Sequence, residues 1–345
     1  MTKAISYSDA GVSIETANEA VKRIGELAQT TFNNRTLTNI GSFGGMFDAK
    51  FPEVNNPILV SSADGVGTKL KIAFESGIHN TIGEDLVNHC VNDILVQGAR
   101  PLFFMDYFAT GVLSEQVTEA VVVGLAKACR ENGCVLLGGE TAEMPGFYPD
   151  GEYDLAGFIV GLVDKENVID GSKIVAGDVV LGIPSSGLHT NGYSLARKLF
   201  FEIGDFGLGD IPDDLEDKTV GEVLISPHKS YLRVLDGLLE GETLKGLAHI
   251  TGGGLYENVP RILPSNVSVR IERGAWKVPP VFSLMQALGN VEDLEMYRTF
   301  NMGIGMVVIC SEADKTAIIE HIEANGEKCF EIGKVTVGDG SLKVE

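Results

Sequence analysis

Short apolar runs alternate with stretches of helical periodicity along this chain, and each change of style is marked by glycine or proline. That alternation is what most limits the folds open to it. PILVSSA (57–63) reads as a buried strand, TIGEDLVNHCVNDILVQG as a helix stopped at Gly98, and PLFFMDYFATG as a second strand. Ser114 is placed to N-cap a helix over EQVTEAVVVGLAKACREN, with Gly133 just past its end, and the apolar CVLL that follows leads into the acidic loop GGETAEMPGFYPDGEYD. YDLAGFIVGLV and DVVLGIP supply further strands on either side of the polar DKENVIDGSKIVAG. Beyond it the style repeats: helices around 191–203 and 227–240, a TGGG turn, the strand SVRIE, then MGIGMVVIC and a closing helix and strand. The fold class is therefore α/β in the mixed (α+β) sense. At 345 residues the chain exceeds one typical domain, and two are expected, 1–168 and 169–345, each a sheet covered by helices.

Charge removes whole classes of partner. Lys and Arg number 27 against 48 Asp and Glu, a formal net charge of -21, which opposes sequence-independent attraction to nucleic acid or to an anionic membrane. The five cysteines form no C-x-x-C pair and fit neither a disulfide framework nor a zinc site, so a reducing cytoplasm suits them. No apolar run reaches the ~20 residues of a membrane span, and the start, MTKAISYSDAG, lacks the apolar core of a signal peptide. A soluble cytoplasmic protein is the expectation.

Four stretches carry the chemistry. SSADGVGTKL (61–70) follows a strand and is neither a Walker A loop nor a G-x-G-x-x-G turn. Its Asp64 at a strand end can hold Mg²⁺, the backbone of Gly65, Gly67 and Thr68 can approach phosphate, and Lys69 adds charge; a structural turn is the alternative. On the helix EDLVNHCVND, Asp85, Asn88, His89, Asn92 and Asp93 fall on one arc, opposite Leu86, Val87, Cys90, Val91 and Ile94. Short acids and amides suit a ligand face; a polar face capping a domain interface is the other reading. With Glu140, and Glu143 as a further ligand or a helix-start acid, Asp64 and Asp93 form a set of hard oxygen ligands from three segments, which favours Mg²⁺ on the phosphates of a nucleotide over zinc. IGSFGGMF (40–47), with Phe43 at its tip, suits a mobile flap or a plain surface loop. In the second half, His189, Thr190 and Asn191 bunch at a helix start, and the glycines of HITGGGLYENVPRILP precede Arg261, an arrangement for an anion or simply for tight turns.

Taken together, SYSDAGVSI, GSFGG, DGVGTKL, IGEDLVNHCVNDILVQGARPLFFMDYFATG, GGETAEMPGFY, SSGLHTNGYSL, HITGGGLYENVPRILP and MYRTFNMGIGM resemble, nearly end to end and in order, the phosphoribosylformylglycinamidine cyclo-ligase family. DGVGTK and the VND helix are shared with a wider ATP-using superfamily that includes selenophosphate synthetase, thiamine-monophosphate kinase and formylglycinamidine ribonucleotide synthetase. The other motifs favour the cyclo-ligase over those relatives and over a non-catalytic nucleotide-binding protein. The resemblance implies ATP-dependent closure of an imidazole ring through an iminophosphate, and a homodimer that pairs its amino-terminal sheets. By position it implies Asp64, Asp93 and Glu140 as metal acids, with Gly41, Phe43, Gly44 and Gly45 as the flap over ATP. Gly65, Gly67, Thr68, Lys69, Gly138 and Gly139 would sit against ATP, with Lys69 on its phosphates. His189, Thr190 and Asn191, with Gly252, Gly253 and Gly254, would face the substrate. His189, whose imidazole can exchange protons near neutral pH, is the expected base.

Overall fold

The computed structural model describes residues 14–345, so the SYSDAGVSI match lies, but for Ile14, outside the described residues. The first sheet holds β1 (Pro57–Gly65), β2 (Arg100–Thr110), β3 (Val135–Glu143) and β4 (Tyr153–Asp164) in the order β1-β4-β2-β3. β2 and β3 run parallel, and β4 is antiparallel to both β1 and β2. Alternation along β4 buries Tyr153, Leu155, Gly157, Ile159 and Gly161 and leaves Asp154 and Phe158 exposed, so one face is packed and the other open. The covering layer comprises α1 (Ile14–Gln29), the short α2 (Leu70–Ser76), α3 (Asn80–Leu95) and α4 (Glu115–Glu131). The Ser114 side chain caps α4 by accepting from Val117 N–H. α3 and α4 approach backbone to backbone: a Cβ on Gly124 would stand 1.8 Å from Asn80 O, and one on Gly83 would stand 2.2 Å from Val121 O.

The second sheet has six strands, β5 (Val179–Pro184), β6 (Gly246–His249), β7 (Val267–Ile271), β8 (Ile304–Cys310), β9 (Phe330–Val337) and β10 (Leu342–Val344), ordered β10-β7-β9-β5-β8-β6. Around it lie α5 (Tyr193–Arg197), prolonged as a π-helix to Ile203, then α6 (Val220–Ile225), α7 (Leu232–Leu235), α8 (Gly254–Asn258), α9 (Pro280–Gly289), α10 (Asp293–Thr299) and α11 (Lys315–Ala324). Every residue of β8 is buried, as its unbroken apolar run requires.

Three sequence expectations change. β1 is an edge strand and not a buried one: Leu59 is 64% exposed, because only α3 and β4 pack against it. The acidic loop begins later than expected, since Gly138–Glu143 pair in register with Met105–Thr110 and belong to β3. The helix expected over 227–240 is confined to α7 and one 3-10 turn after it, and the residues before α7 are irregular. That irregular stretch lays its backbone along α3. His228 N–H donates to Asp85, Asn88 Nδ2 donates to His228 O, and Asn92 receives from Tyr231 N–H and gives to Lys229 O.

Candidate active site

α3 divides its polar arc between two tasks. Asp85, Asn88 and Asn92 serve the interface just described, whereas His89 and Asp93 reach a concavity of ≈ 620 Å³ between the two sheets. Asp64, at the end of β1, joins them there, and β6 adds His249. His89 Nε2 lies 2.7 Å from Asp64 Oδ2 and 3.6 Å from Asp93 Oδ2; His249 Nδ1 lies 2.8 Å from Asp93 Oδ1. Ser62 donates to Asp93, and Gly65 N–H to Asp64. Burial raises both carboxyl pKa values, but the histidines outweigh it and hold both groups below the ordinary range. Their side chains remain open, Asp64 at 42% and Asp93 at 24% exposure, so a ligand can reach them. Thr251, Asn258 and Arg261 complete the far wall, and Arg261 makes no ion pair among the described residues.

Glu140 is not with them. In the register Asp64↔Gly157, Gly157↔Asp106, Asp106↔Gly139, the whole first sheet separates Asp64 from Gly139, about 14 Å at three strand spacings. Asp64 points to the helical layer, whereas Glu140 pairs with Tyr107 and shares its open face. Convergence of the three acids within one copy of the chain, expected from the sequence, is thus corrected: Asp64 and Asp93 meet and Glu140 stands apart. Glu143, near it, accepts from Leu113 N–H.

The flap residues stand on the Glu140 side. The loop is clamped at its base by Leu37 N–H to Met46 O, Phe43 is fully exposed at its tip, and Gly44 has open space around it. Gly45 fits against Leu137, where a Cβ would come within 2.5 Å. Gly41, Ser42, Gly138, Gly139, Glu140 and Asp106 line a second hollow of ≈ 220 Å³. Gly139 has no room for a side chain, since a Cβ would meet Asp106 Oδ1 at 2.4 Å. Burial lifts the Asp106 carboxyl to about 7. Its folded pKa thus exceeds the unfolded one, so its contribution favours the folded state at low pH and is lost as pH rises from about 4 to 7. Asp106→Asn is expected to leave unfolding free energy unchanged near pH 4 and to raise it by roughly 1–3 kcal/mol at pH 8, read from urea melts at both values.

Lys69, expected on phosphate, is fully buried: its Nζ lies 2.7 Å from Asp85 Oδ1 and donates to Ser226 O. Burial lowers the lysine and lifts Asp85 to about 6 against their mutual attraction. Its observed work is to tie α2, α3 and the second half together. Thr68 bonds Ser194, and Gly67 takes a positive φ of 62°.

His189, expected as the base, is buried with φ 62°, stacks on His228 at 4.0 Å, and accepts from Ser186 N–H through Nε2; its Nδ1 has no partner. Burial, with neighbouring cations adding to it, holds its pKa well below the usual value. It does not line the Asp64 concavity, so the structure keeps it from a substrate there. Thr190 bridges His89 Nδ1 (2.7 Å) and His228 Nδ1 (3.2 Å), and Asn191 lies beside Gly252. Gly253 and Gly254 have positive φ, and a Cβ on Gly254 would strike Tyr297 O at 2.0 Å, so this turn is glycine by packing as well as by conformation. Asn258 Nδ2 fixes it through the carbonyls of Thr251, Gly252 and Gly254. Sequence reasoning missed His228 and His249. The HITGGG string around His249 carried a signal; His228, in an irregular stretch, carried none.

Comparison with known proteins agrees with this arrangement. The family profiles "AIR synthase related protein, N-terminal domain" and "AIR synthase related protein, C-terminal domain" match residues 48–163 and 175–345. The chain is 52% identical over 338 residues to a phosphoribosylformylglycinamidine cyclo-ligase of Caldanaerobacter subterraneus subsp. tengcongensis, covering 98% of this chain and 99% of that one. Among solved structures it resembles a thiamine-monophosphate kinase from Stenotrophomonas maltophilia (TM-score 0.71, 18% identity, 94% and 96% of the two chains). It also resembles the hydrogenase maturation protein HypE in complex with ATP (TM-score 0.67, 20% identity, 98% and 93%). No described helix is long and apolar enough to cross a membrane.

Proposed function

We propose, from the premise that this chain belongs to the AIR synthase related proteins and among them to the phosphoribosylformylglycinamidine cyclo-ligases, that it converts formylglycinamidine ribonucleotide to 5-aminoimidazole ribonucleotide in purine biosynthesis, using ATP and releasing ADP and phosphate. The observation that carries this reading is identity near one half over almost the whole chain, together with Asp64 and Asp93 facing one concavity.

Ring closure joins an amidine nitrogen to a formamide carbon and expels the formamide oxygen. Oxide does not leave; phosphate does. Transfer of the γ-phosphoryl to that oxygen gives an iminophosphate, which the neighbouring nitrogen attacks as phosphate departs. Charge spreads over the moving phosphoryl oxygens, so the protein's part is positioning and neutralisation. Arg261 supplies positive charge on the wall opposite Asp64, and the two carboxylates fit a divalent cation because both keep open oxygens on one concavity. Mg²⁺ held by Asp64 and Asp93 would supply Lewis-acid neutralisation of the phosphates. Holding nitrogen and carbon in reach makes the closure unimolecular, worth several kcal/mol of an upper range of ~7–11.

The same reading makes the protein a cytoplasmic homodimer, with residues 1–168 carrying ATP and the pairing surface and 169–345 completing the substrate site. The open face of the first sheet supports pairing: Leu59, Phe158, Tyr107 and Met105 form an exposed apolar surface unusual for a monomer. Flap and Glu140 border that face, so a partner copy is their route to an Asp64 site. Formylglycinamidine ribonucleotide and ATP should yield ADP and aminoimidazole ribonucleotide in a coupled assay, with turnover lost on chelation of divalent ions. Asp93→Asn should lower kcat by ~10²-fold or more. Full turnover by that variant would remove the carboxylate from the reaction.

A further inference from the structure

The histidines around Asp93 leave a hole for a cation, by a count of donors and acceptors that starts from the backbone. Tyr231 N–H donates to Asn92 Oδ1 at 2.9 Å and Asn92 Nδ2 donates to Lys229 O at 2.8 Å, which fixes the amide's orientation. The same Nδ2 lies 3.2 Å from His228 Nε2, so that nitrogen accepts and the ring proton of His228 sits on Nδ1, toward Thr190 Oγ1. His249 Nε2, 3.0 Å from His228 Nε2, must then be the donor. A neutral imidazole has one ring proton, so His249 Nδ1 turns a lone pair toward Asp93 Oδ1 at 2.8 Å. Two acceptors at that separation repel unless a positive centre lies with them.

The surroundings are those of a metal centre. His89 Nε2, Asp93 and His249 offer ligand atoms all within 4.8 Å of one another, and Asp64 Oδ2 lies 2.7 Å from His89 Nε2. Adjacent ligands around an ion with bonds of about 2.1 Å stand roughly 3 Å apart and opposite ones about 4.2 Å, which these spacings approach with small shifts. Each histidine is anchored through its remote nitrogen, His89 by Thr190 and His249 by His228, as metal-bound imidazoles are. The Thr190 hydroxyl can rotate to accept from His89 Nδ1, which frees Nε2. The second histidine group, His189, His228 and His249, lacks this convergence because His189 and His228 stack with their planes only 21° apart.

We propose that His249 Nδ1 and His89 Nε2 join Asp64 and Asp93 in a mixed nitrogen and oxygen centre for a first-row divalent transition cation, in preference to an all-oxygen magnesium site. The inference rests on the reading that Asp64 and Asp93 hold the metal. Imidazole ligands favour Mn²⁺ and its successors over Mg²⁺. The test is a Mn²⁺ titration of the nucleotide-free full-length protein, followed by electron paramagnetic resonance with Mg²⁺ as competitor. One bound Mn²⁺ is expected, displaced only by Mg²⁺ at ~10-fold or greater excess. Pulsed spectra should carry ¹⁴N modulation from bound imidazole, and His249→Gln or His89→Gln should weaken binding by ~10-fold or more. Bound Mn²⁺ without ¹⁴N modulation, in a site sensitive to Asp93→Asn, would overturn the nitrogen ligands and leave the oxygen site standing. Absence of binding would overturn the proposal, and the chelation arm of the coupled assay would then decide the oxygen site separately. Because the pulsed spectrum is read on the unsubstituted protein, the nitrogen ligands are tested even where a variant fails to fold.

Discussion

Asp64→Asn and Glu140→Gln chains, each inactive alone, are expected to regain about a quarter of wild-type activity when mixed and allowed to exchange subunits. Within one chain the two acids occupy opposite edges of the first sheet, one turned to the helical layer and the other on the open face. If a two-fold pairing of open faces carries Glu140 to the partner's Asp64, each site draws one acid from each chain. Half the dimers after random exchange are mixed, and each holds one site with both acids intact. Exchange is verified with differently tagged chains. Proven exchange without any recovery would put both acids in the service of the same chain's site and end the cross-subunit assignment.

The second large effect concerns stability. Gly124→Ala is expected to destabilise the fold by about 3 kcal/mol, since its methyl group would enter the carbonyl of Asn80 across the α3–α4 contact, and a backbone cannot step aside as a side chain can. Gly209→Ala, where nothing lies within 4 Å, serves as the control. Urea unfolding of the two variants reads the difference. Equal midpoints would mean that α3 and α4 stand further apart than described, and with them His89 and Asp93.

How much of this was legible beforehand depended on whether a signal was local. The apolar runs of β2, β4, β5 and β8 and the Ser114 cap declare themselves through neighbouring residues. The polar arc of α3 was visible as an arc, but its division was not: Asp85 and Asn92 answer to a backbone more than 130 positions away, and nothing near them says so. The glycines of GGETAE suggested a loop because glycine weakens strands; here Gly139 is in β3 because Asp106 occupies the space beside it. Lys69 beside DGVG suggested a phosphate ligand, yet its charge is spent on Asp85, a pairing that only the folding of α2 onto α3 creates. Glu140 was sorted with Asp64 by chemical type, and strand order, which the sequence does not encode locally, separates them.

The stretch of backbone laid along α3 bears on how the enzyme can move. Parting the two halves would strand the Asp85, Asn88 and Asn92 groups in a dry interior, each broken contact costing about 1–3 kcal/mol, and would leave Lys69 without its carbonyl. Bending at the waist is therefore closed to this molecule on the timescale of turnover. Nucleotide and product must come and go by way of rim loops, and a rigid interior keeps the acids in register while they do.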